Sequence, residues 1–391
     1  MNYKDNTSTV RNKLRVLQLR SSPFLGSPEK LILGRCAAMG SNRLVYCVGV
    51  FDEQPNGVND FIYELEALDV KVLKLDASIL RLHQTVKFLK KVVNDENITL
   101  FCSNDYKSNF FAFVLGKISK LPAIAVFHGR TSTDIKVRFY EKIDAFILKS
   151  FDVIVAVCDD AKKRLISKGI SSEKIRVIPN AVDTSSGTEK INTSQPIYSE
   201  FSISPNDKLI VFAGRLSKEK GLTLLIQAAT KVIRHLGCVK FILVGDGPER
   251  KYLEHLIKKY DLEGYVLLPG FRRDVHQFFS AMRFLVLPSL TEGMPVVILE
   301  AFAAGKAVIA SRVGGIPEIV SHGINGLLVE PGNVEQLADA MTQMVNDDEM
   351  IRQMGINGLK MVREHYCFPV QVNNYNRLYQ FVLENSRRRR K

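Results

Sequence analysis

A chain of 391 residues is too long for one ordinary hydrophobic core, and 46% hydrophobic with 24% charged residues is an ordinary globular composition. No apolar run reaches the ~18–20 residues that span a bilayer; Met294 to Gly305 is interrupted by Glu300 and closed by Lys306. The net charge of +13, five of it from Arg387 to Lys391, suits anionic partners, while no recognition motif accompanies it to support nucleic acid.

The first thirteen residues are polar and hold no apolar signal-peptide core. Short continuous runs of Val, Ile and Leu then predict buried parallel strands at 14–19, 43–50, 71–75, 98–102, 123–127, 152–157 and 175–178. Helix-length segments lie between several of them, which is the βαβ pattern of a doubly wound sheet. One of these, Ile79 to Val93, has an apolar stripe with Lys87, Lys90 and Lys91 beside it, and reads as a sheet-covering helix. Contact with an anionic membrane is the alternative for that segment.

Residues 184–207, rich in Ser, Thr and Pro, read as a linker. The strand pattern restarts at 208–214, 239–245, 265–270, 284–289, 306–311 and 326–331. The expected organisation is therefore an N-terminal α/β domain over 1–183, the linker, a second α/β domain over 208–364, and a final segment, 365–391. Tyr375, Leu378, Phe381 and Val382 supply the apolar face of a helix there, and a basic tail follows. Two such domains bind ligands in a cleft at the carboxyl ends of their strands. Gly245-Asp246-Gly247-Pro248 lacks the third glycine of a dinucleotide site. Cys36, Cys47, Cys102, Cys158, Cys238 and Cys367 form no C-x-x-C pair, so neither zinc nor a disulfide frame is expected and a reduced cytoplasmic compartment is.

Pro288 to Ser311 carries the most chemistry. A strand ends at Leu287, a loop holds Ser289 and Thr291, and Pro295 suits the first turn of a helix that runs to Ala304, with Gly305 as its stop. That helix start, Gly293-Met294-Pro295-Val296, offers free N–H groups to a diphosphate. Glu292 and Glu300, with seven residues between them, are carboxylates able to accept bonds from neighbouring hydroxyls of a ribose or a sugar ring.

This block, T-E-G-M-P-V-V-I-L-E-A-F-A-A-G, resembles the signature of the retaining glycosyltransferases of family 4, also called group 1, with the GT-B fold. The resemblance extends through VIPNAVD (177–183), AGRLSKEKG (213–221), VGDGPER (244–250), GGIPEIV (314–320) and GINGLLVEPGN (323–333). It implies two Rossmann-like domains facing a cleft and transfer of a sugar from a nucleotide-diphosphate donor, UDP by default, with retention. The acceptor it implies is a hydroxyl of a glycan or lipid-linked molecule in envelope or exopolysaccharide synthesis.

Within the resemblance, Arg215 and Lys220 grip the diphosphate, Glu300 binds the ribose, Glu292 contacts the transferred sugar, and Phe271 and Arg272 border the base. His128, in F-H-G-R, matches the histidine beside the donor sugar. Gly26 stands where relatives carry two glycines before a glutamate; here the second is replaced by Ser27. No Asp-x-Asp pair occurs, so no metal and no cofactor are expected, the nucleotide sugar being a substrate. The expected location is cytoplasmic, with an anionic inner membrane face as a further partner. Acceptor choice is expected to lie around residues 129–142. The alternatives are a sugar-nucleotide epimerase of the same architecture and a non-catalytic nucleotide-sugar-binding protein.

Overall fold

The computed structural model describes residues 14–22, 25–39, 44–52, 59–76, 78, 81–129, 143–185 and 195–390. Most of the expected acceptor segment 129–142 therefore lies outside the described residues, as do Ile79, part of the 184–207 segment and Lys391. The chain divides into two compact units, one built from residues up to 126 with 141–154 and 372–391, the other from 127–140 and 155–371.

Every predicted strand is present. The first sheet holds β1 (Leu14–Ser22), β2 (Leu44–Asp52), β3 (Lys71–Asp76), β4 (Leu100–Ser103), β5 (Ala123–Phe127), β6 (Val153–Ala156) and β7 (Ile175–Val177). Its order is β3-β2-β1-β4-β5-β6-β7, with parallel pairing between β2 and β3, β1 and β2, β1 and β4, and β4 and β5. Residues Val16, Leu17, Leu19, Ile124 and Ile154 are buried, as strands covered on both faces require.

The second sheet holds β8 (Lys208–Ala213), β9 (Val239–Val244), β10 (Val266–Gly270), β11 (Phe284–Leu287), β12 (Ala307–Ser311) and β13 (Gly326–Val329). Its order, β10-β9-β8-β11-β12-β13, is parallel at every pairing. Strand order reverses between β8 and β11, so the loops leaving these two strands part to opposite faces and leave a crevice at their carboxyl ends. Both halves are Rossmann-like α/β domains.

Three local expectations shift. The linker segment contains a helix, Gln195–Glu200, whose Ile197 is fully buried and whose neighbour Phe201 packs on Phe278 with ring centroids 5.9 Å apart. The predicted helix at 79–93 is observed as Leu82–Asp95, burying Thr85, Leu89, Val92 and Val93 and leaving its lysines exposed. The terminal helix, Phe368–Arg390, buries Tyr375, Leu378 and Val382 but also Tyr379, while Phe381 is 44% exposed. The stripe at 375, 378, 379 and 382 is the i, i+3, i+4, i+7 face, and position 381 lies off it.

Arg35, on helix Ser27–Ala38, explains the tyrosines. Its guanidinium is buried with its carbon 4.8 Å from the Tyr375 ring centre, and the Tyr379 and Tyr46 hydroxyls meet at 3.0 Å. The cation over the aromatic face and the paired hydroxyls tie the terminal helix, from Val372 on, into the first unit.

Candidate active site at the crevice of the second sheet

β8 ends at Ala213 and the chain turns through Gly214 to Arg215, which is exposed. A one-turn helix, Lys218–Lys220, follows and closes on Gly221 at φ +65°. A Cβ on Gly221 would lie 2.2 Å from the Pro288 carbonyl oxygen, so only glycine lets this turn touch the loop after β11. The contact is sealed by the Leu290 N–H donating to the Glu219 carbonyl at 2.8 Å.

This apposition brings Lys220 to Glu292. The Lys220 ammonium donates to Glu292 Oε1 at 2.6 Å, and the Ser289 hydroxyl donates to the same oxygen at 2.7 Å. Glu292 is 5% exposed and Ser289 is fully buried, so the carboxylate is held where its charge is compensated. Among the described residues no bond reaches Glu292 Oε2. Ser289 is a positioning group that sequence reasoning noted in the loop without a role; its spacing three residues before an acid is the available signal.

The helix after this loop is Val296–Ala303, capped at its start by Pro295 and followed by Gly305 at φ +68°. Pro295 thus sits one position earlier than expected, as the cap residue. Asn180 donates from Nδ2 to the Met294 carbonyl at 2.7 Å, fixing the turn that presents the helix start. Glu300 lies half-buried on the helix.

His128 follows β5 and belongs to the same compact unit. A Cβ on Gly293 would lie 2.1 Å from the His128 carbonyl oxygen, one on Gly129 2.9 Å from the Gly293 Cα, and one on Gly314 2.1 Å from the Glu292 carbonyl oxygen. Three glycines therefore let the backbones of 128–129, 292–293 and 314 touch, which sets His128 beside the Glu292 turn. Gly293→Ala is expected to destabilise the protein by about 1–3 kcal/mol, since the clash is with backbone rather than a movable side chain. A thermal melt checks this; an unchanged midpoint would remove the close approach from the account.

Cys158, Glu318 and Asn180 complete the support. Glu318 accepts the backbone N–H of Asp159 at 2.9 and 3.0 Å, capping helix Asp159–Ser167 from outside. Burial pushes the Cys158 thiol up to about 11, so it is neutral near pH 7 and serves as that helix's cap, accepting from the Ala161 N–H at 3.4 Å. Sequence alone gives none of these three a role.

Among the described residues, the remaining expected donor residues make none of these contacts. Phe271 follows β10 and is 62% exposed. Arg272 is engaged within the fold: Asp274 holds it at 2.8 Å through Nε and Nη2, Glu200 takes its other edge, and its guanidinium carbon lies 5.2 Å from the Phe278 ring centre. The Asp274 and Glu200 carboxylates raise its pKa further, so it stays charged and committed to helix Gln195–Glu200. Gly26 belongs to the first unit, where it caps helix Ser27–Ala38 in extended backbone at φ −102° and donates its N–H to Glu29 at 3.0 Å. No left-handed conformation demands glycine there. Gly245 and Gly247 pack on the Gly214 and Leu216 carbonyls, Cβ positions falling at 1.9 and 2.3 Å, which accounts for that glycine pair without a dinucleotide.

The family described as Glycosyl transferases group 1 matches residues 195–361, and Glycosyltransferase Family 4 matches residues 33–186. A glycosyltransferase of Methanocaldococcus jannaschii is 30% identical over 74% of this chain and 78% of its own length. The N-acetyl-alpha-D-glucosaminyl L-malate synthase of Bacillus anthracis is 29% identical, the match spanning 62% of this chain and 63% of that enzyme, less than two thirds of either. The UDP-Gal:alpha-D-GlcNAc-diphosphoundecaprenol alpha-1,3-galactosyltransferase of Escherichia coli is 22% identical over 96% of this chain and 99% of its own. In fold, the chain superposes on HepE of Anabaena, crystallised with UDP and glucose, with a TM-score of 0.82 at 22% identity, covering 94% of this chain and 99% of that one. With its two Rossmann-like sheets and the E-x7-E block at the crevice of the second, the chain belongs to the group 1 / family 4 glycosyltransferases of GT-B fold.

Proposed function

We propose that the protein transfers a sugar, with retention of anomeric configuration, from a nucleotide-diphosphate sugar to a hydroxyl of a glycan or lipid-linked acceptor in envelope or exopolysaccharide synthesis. The observation that carries this reading is the Lys220–Glu292–Ser289 cluster at the carboxyl ends of β8 and β11, immediately before helix Val296–Ala303. UDP is the default nucleotide, supported by the UDP bound to HepE and the UDP-Gal used by the Escherichia coli relative.

Arg215, the remaining N–H donors of Lys220 and the backbone N–H groups of Met294 and Val296 receive the diphosphate. Glu292 receives sugar hydroxyls on its second oxygen, Glu300 the ribose, and His128 stands beside the reacting sugar. The bond from the anomeric carbon to the phosphate oxygen breaks, and a bond from the acceptor oxygen forms on the same face. The acceptor proton passes to the departing diphosphate. Negative charge grows on that leaving group, and the cations and helix start are aimed at it, which is electrostatic catalysis without a metal. The acceptor side belongs to the membrane's cytoplasmic face if the acceptor is lipid-linked.

The test is mass spectrometry of purified protein incubated with a panel of nucleotide sugars and lipid-extract acceptors, with and without EDTA. Expected is a glycosylated product from a UDP-sugar, formed at the same rate in EDTA. Release of epimerised free sugar instead of a glycosylated acceptor would replace transfer with epimerisation. Strict Mg²⁺ dependence would overturn the metal-free chemistry.

A further inference from the structure

Helices Leu82–Asp95 and Tyr106–Ser119 occupy the crossovers from β3 to β4 and from β4 to β5, which run the same way across the first sheet. Right-handed crossovers in one direction set their helices on one face. The segment 143–148 is helical and joins the second of them through Asn109 Nδ2, which donates to the buried Asp144 carboxylate at 2.7 Å. The outward side of this layer has an unusual composition for a solvated face. Phe88, Ile118 and Phe146 are 46%, 45% and 73% exposed, and Lys87, Lys91 and Lys117 are exposed among them. Helix Tyr106–Ser119 contains no acid, helix Leu82–Asp95 has one only at its last position, and Asp144 is buried.

The basic end of the terminal helix adds to the same place. Ser386 lines a pocket together with Lys117, Lys120 and one acid, Asp152, whose carboxylate accepts the Ala123 N–H at 3.0 Å, and Arg387 and Arg388 follow it, both exposed. Two features that are far apart in sequence, the amphipathic helix near residue 90 and the basic tail, thus join one layer of the first unit.

We propose that this layer is a docking surface for an anionic phospholipid bilayer. Lysines answer the headgroup charge, and the exposed Phe and Ile side chains enter the boundary between headgroups and acyl chains. A nucleic acid would use the lysines but leave the aliphatic and Phe side chains in water, which favours the bilayer. The inference rests on the reading of a lipid-linked acceptor.

Sedimentation of the full chain with phosphatidylcholine vesicles, and with vesicles containing phosphatidylglycerol, tests it. Wild type is expected to bind the anionic vesicles and not the neutral ones, with binding weakened by salt. Each basic residue near such a surface gives roughly a fivefold gain, so Lys87→Glu/Lys91→Glu/Lys117→Glu should lose at least about a hundredfold. Phe88→Ser/Phe146→Ser should also release the protein. Both variants should keep the wild-type circular dichroism and turnover on a soluble acceptor, since neither touches the crevice. Equal binding by the charge-reversed variant overturns the surface. So does binding that survives Phe88→Ser/Phe146→Ser and is displaced by polyuridylate, which marks a general polyanion site. Transfer to a soluble acceptor without vesicle binding sinks the docking face alone; vesicle binding without transfer from any donor sinks the transferase reading and leaves the face standing.

Discussion

Glu292→Gln is expected to lower turnover by at least ~100-fold while leaving the affinity for free nucleoside diphosphate within about threefold. The substitution keeps shape and volume, so packing against Ser289 and the Gly293 turn survives. What changes is charge and polarity at two places. At Oε1, Lys220 now donates to a neutral amide oxygen instead of a carboxylate, an interaction about half as strong. At the other position an N–H group replaces an acceptor, so a sugar hydroxyl that donated to Oε2 meets a donor. In the proposed function that contact belongs to the sugar and not to the diphosphate, which is why binding of the free diphosphate is expected to be spared. Lys220, less firmly held, keeps its charge for the phosphates that the proposed function assigns to it. Steady-state rates beside calorimetry with UDP separate the two arms. Wild-type turnover in Glu292→Gln would remove Glu292 from the sugar site.

The architecture was legible because the strands are parallel and covered, so they appear as short runs rich in Val, Ile and Leu. The sequence fell short where an element's polar continuation mattered. β1 runs on to Ser22 and β2 to Asp52, past the apolar residues that mark them. Helix Gln195–Glu200 was hidden in a Ser/Pro-rich stretch because its stability comes from tertiary contacts: Ile197 buried, Tyr198 donating to the Ala281 carbonyl at 3.4 Å, and Arg272 holding Glu200. Short helices draw stability from packing rather than propensity.

In the site, Glu292, Lys220 and His128 could be picked out as residues, yet not as neighbours. Lys220 and Glu292 are 72 positions apart, and the device that joins them is the glycine turn at 221 pressed on the Pro288 carbonyl. Arg272 illustrates the same limit: its partner Glu200 is 72 residues upstream, and two carboxylates and two Phe rings surround it, contacts that its place after a strand end does not announce. Ser289 and Asn180 act through other groups: spacing three residues before an acid is all that marks Ser289, and no residue type or spacing marks Asn180.

Arg215→Ala and Lys220→Ala should each weaken UDP binding by ~1.5–3 kcal/mol, about ten- to 150-fold, because in the proposed function each removes a charge-assisted donor to the diphosphate. Their effects on stability should differ. Arg215 is exposed, so its removal leaves the melting midpoint nearly unchanged. Lys220→Ala strips the partner from a carboxylate that is 5% exposed, and an uncompensated buried charge is costly. Since the Lys220 side chain itself is 18% exposed and water can reach the gap, the loss should be about 1–3 kcal/mol, below the range for a fully enclosed pair. Adding Glu292→Gln to Lys220→Ala removes the stranded charge and should recover most of that stability, while neither UDP affinity nor turnover returns. The cycle of wild type, two single variants and the double variant, measured by thermal or urea unfolding and by calorimetry, isolates the coupling between the two side chains. Additive losses of stability would mean the bond at Glu292 Oε1 contributes nothing, and unchanged UDP affinity in Arg215→Ala would move the diphosphate away from the end of β8.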